Sequence, residues 1–156
     1  IRPFGEVKGR DESFAHFYNK ENKTMSRSLI QTSNQSAQTV AVGGIIGLGS
    51  TLRRFGCNCR LSGNGIEVMG EGYYTIDANV SITPTAAGAI TVALFQDGVQ
   101  IPGAIALTTG TAAAPEAISI PTTIRLGCCD SSSTITCVLI AGAGTVNNIA
   151  LRVVKE

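Results

Sequence analysis

The chain has no tryptophan, one histidine and few charges: Asp, Glu, Lys and Arg together make up 15% of its 156 residues. An ordinary soluble domain carries about 25% charged residues. The shortfall points to a surface partly covered by something other than water. The lone histidine, His16, has no neighbouring cysteine or carboxylate pair, so a triad or a histidine metal set has nothing to build on. The five cysteines, Cys57, Cys59, Cys128, Cys129 and Cys137, form C-x-C and C-C pairs. Neither has the C-x-x-C spacing of a zinc site. An odd count with adjacent members also argues against a secreted disulfide framework and for free thiols made in a reducing cytoplasm. Cys137, on an apolar run, is expected to pack as a small hydrophobe. No apolar run is long enough to span a bilayer, and no signal peptide is evident. Three N-x-S/T triplets, at Asn22, Asn34 and Asn79, matter only on a eukaryotic secretory route.

What is present is small and β-leaning, including 18 glycines. Net charge is +1, unevenly spread. Residues 1–60 hold nine Lys/Arg against four Asp/Glu, and residues 61–156 hold three against seven. A basic leader therefore precedes an acidic body, and such a leader either reaches an acidic partner or is simply solvated.

Residues 1–38 read as an arm. Phe14, Phe17 and Tyr18 fall on one face of a short helix. Asp11 and Glu12 precede them, and Lys20 and Lys23 follow, which suits a helix dipole. Four of the eight aromatics lie in the first 18 residues. Buried aromatics dominate interface energetics, so Phe4, Phe14, Phe17 and Tyr18, with Arg10 and Lys20, are candidate docking residues. The alternative is an arm folded back on its own body. "QTSNQSAQ" reads as a polar linker.

From Thr39 the pattern changes. "TVAVGGIIGLGSTL" is a strand broken by a bend near Gly43–Gly44. It is no nucleotide loop, because Gly47 and Gly49 lack a third glycine and no βαβ unit follows. Asn64–Gly65 and Asp97–Gly98 mark hairpin turns. From Tyr74, apolar Ile76, Ala78, Val80 and Ile82 alternate with small polar Thr75, Asp77, Asn79, Ser81 and Thr83 up to Pro84, which cannot donate to a ladder. Ile90, Val92 and Leu94 alternate next. "AISIPTTIRLGC", "STITCVLIAGAG" and "NNIALRVVKE" supply further strands, the last with Ile149, Leu151 and Val153 on one face. Roughly eight strands spaced by about 8–15 residues, with no helical period after residue 38, predict an all-β antiparallel sandwich or jelly roll. The apolar side of each strand buries against a second sheet.

The order "GNGIEVMGEGYYTIDANVSITP", "ITVALFQDGVQIPGA", a Ser/Thr/Ala-rich turn and "NNIALRVVKE" resembles the C1q/tumour-necrosis-factor-like jelly roll over residues 39–156. It is most similar to the bacterial and bacteriophage versions, with their "GxYxI" strand, "VALxxDGxxIPG" hairpin and "NAxLxVxxL" ending. The resemblance implies about ten short strands in two sheets and a tight homotrimer. It places Tyr73, Tyr74, Phe95 and the strand around Ile149, Leu151 and Val153 at or near subunit contacts. The small polar side, Thr75, Asp77, Asn79 and Ser81, then meets a neighbouring copy or trapped water. The chain has no G-x-y collagen stalk before the head. The short aromatic, basic arm in its place resembles the plan of phage head fibres and capsid decoration proteins.

Three function classes follow. One is a virion fitting, a homotrimer on the capsid surface assembled in the bacterial cytoplasm and anchored to a capsid protein by its arm. A second is a binding head, an adhesin, receptor-binding tip or spore-surface protein that recognises a glycan or cell-surface ligand; the absence of tryptophan counts against a sugar-stacking site. The third is an enzyme, and no catalytic residue, cofactor site or metal site is found to support it. Calcium would need clustered D-x-D or D-x-N spacing, which is lacking. Arm arginines and lysines are interspersed with acids and sit in no nucleic-acid-binding motif, so neither nucleic acid nor membrane is expected as a partner.

Overall fold

The computed structural model describes residues 27–127 and 132–156. Eleven strands are found there: β1 (Ser28–Asn34), β2 (Gln38–Val40), β3 (Ser50–Phe55), β4 (Cys59–Ser62), β5 (Gly65–Val68), β6 (Gly72–Pro84), β7 (Gly88–Gln96), β8 (Val99–Gly110), β9 (Glu116–Leu126), β10 (Ser133–Ala141) and β11 (Gly144–Lys155). They form two antiparallel sheets. Sheet A runs β3-β1-β11-β6-β9, with β2 following β1 along the same edge of β11; sheet B runs β4-β5-β10-β7-β8. The count exceeds the expected eight because short β2, β4 and β5 are separate strands.

The alternation in β6 sets the layers. Tyr74, Ile76, Ala78, Val80 and Ile82 are buried, with Ile90, Val92 and Leu94 of β7 and Ile135, Cys137 and Leu139 of β10 in the same apolar cluster. Side chains of a strand alternate between its two faces, so the inward face of each sheet supplies one wall of the core. Truncating Ile76 to Ala removes a fully buried side chain and costs about 2–5 kcal/mol.

The hairpins hold, with one shift. Asp97 and Gly98 both have positive φ (52° and 82°) and join Gln96 to Val99, the pattern of a type I′ turn. The other turn lies one residue earlier than Asn64–Gly65. Ser62 pairs with Gly65 around Gly63 and Asn64, and only Gly63 has positive φ, at 59°. Glycine at the first central position is the type II′ preference. Gly65 itself lies in the ladder.

The boundary at residue 38 is also corrected. Residues 28–34, expected as the end of the arm and the start of the linker 31–38, form β1, which lies between β3 and β11 with Ile30 and Thr32 fully buried. The polar run misleads because its side chains fasten the next segment. Gln38 donates to the Gly47 carbonyl and accepts from the Gly47 amide, and Asn34 donates to the same carbonyl (2.9, 2.9 and 3.0 Å). That clamp holds residues 43–46 against β10, where Ile45 bridges Val138. The helix expected around Phe14, Phe17 and Tyr18, the docking residues Phe4, Arg10 and Lys20, and His16, Cys128 and Cys129 lie outside the described residues.

Candidate interaction face

The outward side of sheet A follows directly from the register. One line across the strands reads Phe55, Leu29, Val154, Thr75 and Thr123. The next reads Arg53, Gln31, Arg152, Asp77 and Pro121, and a third Ser33, Ala150, Asn79 and Ser119. The face therefore grades from apolar, through charged, to small and polar. At its centre Ala150 and Ser119 carry little side chain, and a hollow of about 380 Å³ opens between Gln31, Asp77, Asn79, Ser119, Ala150 and Arg152. On its wall Arg152 donates to Asp77 at 3.0 Å. Both side chains remain partly exposed, 50% and 35%, so the pair contributes no more than about 1 kcal/mol as it stands.

The expected contact residues separate into two groups. Thr75, Asp77 and Asn79 lie on this outer face, and exposed Tyr73 flanks it with Arg125 5.8 Å over its ring. Tyr74, Ile149, Leu151 and Val153 do not: each is 0% exposed within a single chain. Their side chains point into the sandwich, so they cannot meet a partner, and the assignment of these four is corrected. Phe95 is half-buried on the other sheet, between Thr136 and Gln100. The residues of β11 that face outward are Ala150, Arg152 and Val154. The signal for them was in the sequence, as the opposite phase of the Ile149, Leu151, Val153 alternation.

Tyr74 instead closes one end of the sandwich. Its hydroxyl lies 2.7 and 2.8 Å from the Met69 and Gly70 carbonyls. Asn58 donates to the same Met69 carbonyl at 2.6 Å and accepts from the Ser28 hydroxyl at 2.7 Å. Burial, then the neighbouring Cys59, pushes the Tyr74 hydroxyl up to about 12. Burial raises the Cys59 thiol to about 11, against the pull of Arg54 and Lys155. It raises the Cys137 thiol to about 12. A buried thiol held in its protonated form is a packing group, not a nucleophile. Cys57, Cys59 and Cys137 are free thiols. Among the described residues no three of His, Cys, Asp and Glu are grouped to hold a metal ion. No helix among them is long and apolar enough to cross a membrane.

The outward side of sheet B is different in kind. Ile45, Val138, Ala93 and Ile105 form one apolar line across it, with Leu107 beside Thr91 on the next. Ala93 and Val138 are covered by their neighbours, while Ile45 is 50% and Leu107 68% exposed.

No family model matches the chain, and no curated protein matches it. Solved structures do. Murine APRIL aligns over 84% of this chain and all of its own, at 12% identity and a TM-score of 0.66. The globular domain of zebrafish complement 1qA aligns over 81% of this chain and 94% of its own, at 10% identity and 0.60. The PRD1 vertex protein aligns over 83% of this chain and 96% of its own, at 12% identity and 0.55. At these identities the likeness is one of fold, and the fold is the TNF/C1q-like jelly roll.

Proposed function

We propose that this chain is a virion fitting: a homotrimeric jelly-roll head that self-associates through the outward face of sheet A and is anchored to a capsid protein by its N-terminal arm. The observation that carries the reading is that face. It is a regular five-strand surface with small Ala150 and Ser119 at the floor of a hollow walled by Gln31, Asp77 and Arg152, and Tyr73 and Phe55 at its margin are 56% and 68% exposed. A hollow floored by small side chains leaves room for a neighbour's side chain, and exposed aromatics are among the residue types enriched in interfaces. The resemblance to C1q/TNF-like heads favours a trimer. A vertex protein of the same fold favours a place on a virus particle, and the basic, aromatic leader favours an anchor. The reading is non-enzymatic, and its place of action is the capsid surface.

The test is deletion of residues 1–26, which spares β1. The shortened protein is expected to remain folded and self-associated yet to be lost from purified particles. Particles that still carry it would overturn the anchoring role. A second reading, a ligand-binding head, is favoured by the apolar line on sheet B. It is expected to show as loss of cell attachment in Leu107→Asp with particle incorporation unchanged.

A further inference from the structure

We infer that β3 is a docking edge for an acidic, extended segment of another polypeptide. Of the strands that end the two sheets, β9 carries Pro121 and β8 carries Pro102. Proline removes an N–H that an added strand needs. Strand β4 is only four residues long. Strand β3 has no proline, bonds to β1 on one side, and leaves its other edge open among the described residues. All six of its residues are exposed, with Leu52 at 52% and Phe55 at 68%. Such an edge offers unpaired backbone donors and acceptors for strand addition.

Charge selects the occupant. No acidic residue occurs between Glu21 and Glu67. Arg53 and Arg54 project from β3, and Arg27 precedes its neighbour β1; none of the three pairs with a carboxylate among the described residues. Arg53 and Arg54 donate to carbonyls instead, those of Leu52 and Cys59 respectively. The strand also bulges at Leu52, because Gln31 pairs with Arg53 while Thr32 pairs with Thr51. Arginines and a bulge are the means by which an edge refuses a copy of itself. Two β3 strands side by side would bring arginine against arginine, and like charges directly opposite destabilise a ladder. A strand carrying alternate carboxylates removes that repulsion and sets its carboxylates on one face, beside one of the two arginines, where they gain charge-assisted hydrogen bonds. Nucleic acid would also meet the arginines, but it would leave the ladder edge and Leu52 unused. The proposal goes beyond anchoring by the arm and does not depend on trimer formation.

The test uses the full chain and a synthetic peptide of alternating valine and glutamate. Binding is expected to slow amide exchange within Ser50–Phe55. It is expected to fail for the same peptide N-methylated at alternate residues, and to weaken about tenfold or more in R53E/R54E. That variant is expected to gain binding to a valine–lysine peptide, which a misfolded protein would not do. The inference is overturned if the peptide does not bind, if it binds without protecting 50–55, if N-methylation has no effect, or if the charge swap fails to transfer binding. Tighter binding of a single-stranded oligonucleotide that depends on Arg53 and Arg54 would equally overturn it.

Discussion

Cutting the chain after residue 38 rather than after residue 26 should separate a folded head from an unfolded one. Strand β1 makes seven register pairs with β11 and five with β3. Each ladder hydrogen bond contributes about 0.5–1.5 kcal/mol net. Ile30 is fully buried, which adds roughly 1.5–3 kcal/mol. The loss is on the order of 10 kcal/mol, comparable to the whole stability of a domain, about 5–15 kcal/mol. The deletion would also detach β3 and open the edge of β11 to solvent. Circular dichroism with thermal and urea unfolding of the two deletions decides. Removal of 1–26 is expected to leave a cooperative transition, and removal of 1–38 to abolish it. If the shorter protein unfolds cooperatively with the same midpoint, β1 is dispensable and the description of sheet A as a unit built around β11 is wrong.

Other expectations follow from single sites. Tyr74→Phe removes the hydroxyl that serves the Met69 and Gly70 carbonyls and should cost about 1–3 kcal/mol in urea unfolding, with no change in association. Cys137 holds its proton in the fold up to about 12 against an ordinary value of 9.0. The unfolded chain therefore gives up that proton first, so stability should fall as pH rises from 9 towards 12, and Cys137→Ala should flatten that alkaline decline. Gly49 has φ +78°, and a Cβ there would collide with the Ser33 carbonyl oxygen; Gly49→Ala should destabilise by about 1–3 kcal/mol, read from the thermal midpoint.

Much of the architecture was legible because strand alternation is a period-two signal that one-sided burial enforces. The Tyr74–Ile82 run was read directly from it, and the Asp97–Gly98 turn from the Asp-Gly hairpin preference. What failed did so for particular reasons. Residues 31–38 are polar because their side chains bond to Gly47 and Thr32 donates to the Leu151 carbonyl, and composition alone cannot distinguish that from a solvated linker. Gly63 and Gly65 flank one asparagine, so the dipeptide preference for Asn-Gly placed the turn a residue late. The error at Tyr74, Ile149, Leu151 and Val153 came from carrying a whole strand over from the resemblance, when the phase of the alternation already divided it. The hollow beside Ala150 depends on which residues of β1, β9 and β11 fall opposite one another, a long-range register no local pattern contains.

Sedimentation equilibrium of the wild-type protein and of Ala150→Arg tests the central claim most directly. The substitution drives a long cation into the hollow on the outward face of sheet A, away from the core. The wild type is expected to sediment as a trimer and the variant as a folded monomer with an unchanged unfolding transition. A wild-type monomer at high concentration, or a variant that remains trimeric, would contradict the claim that this face is where copies of the chain meet.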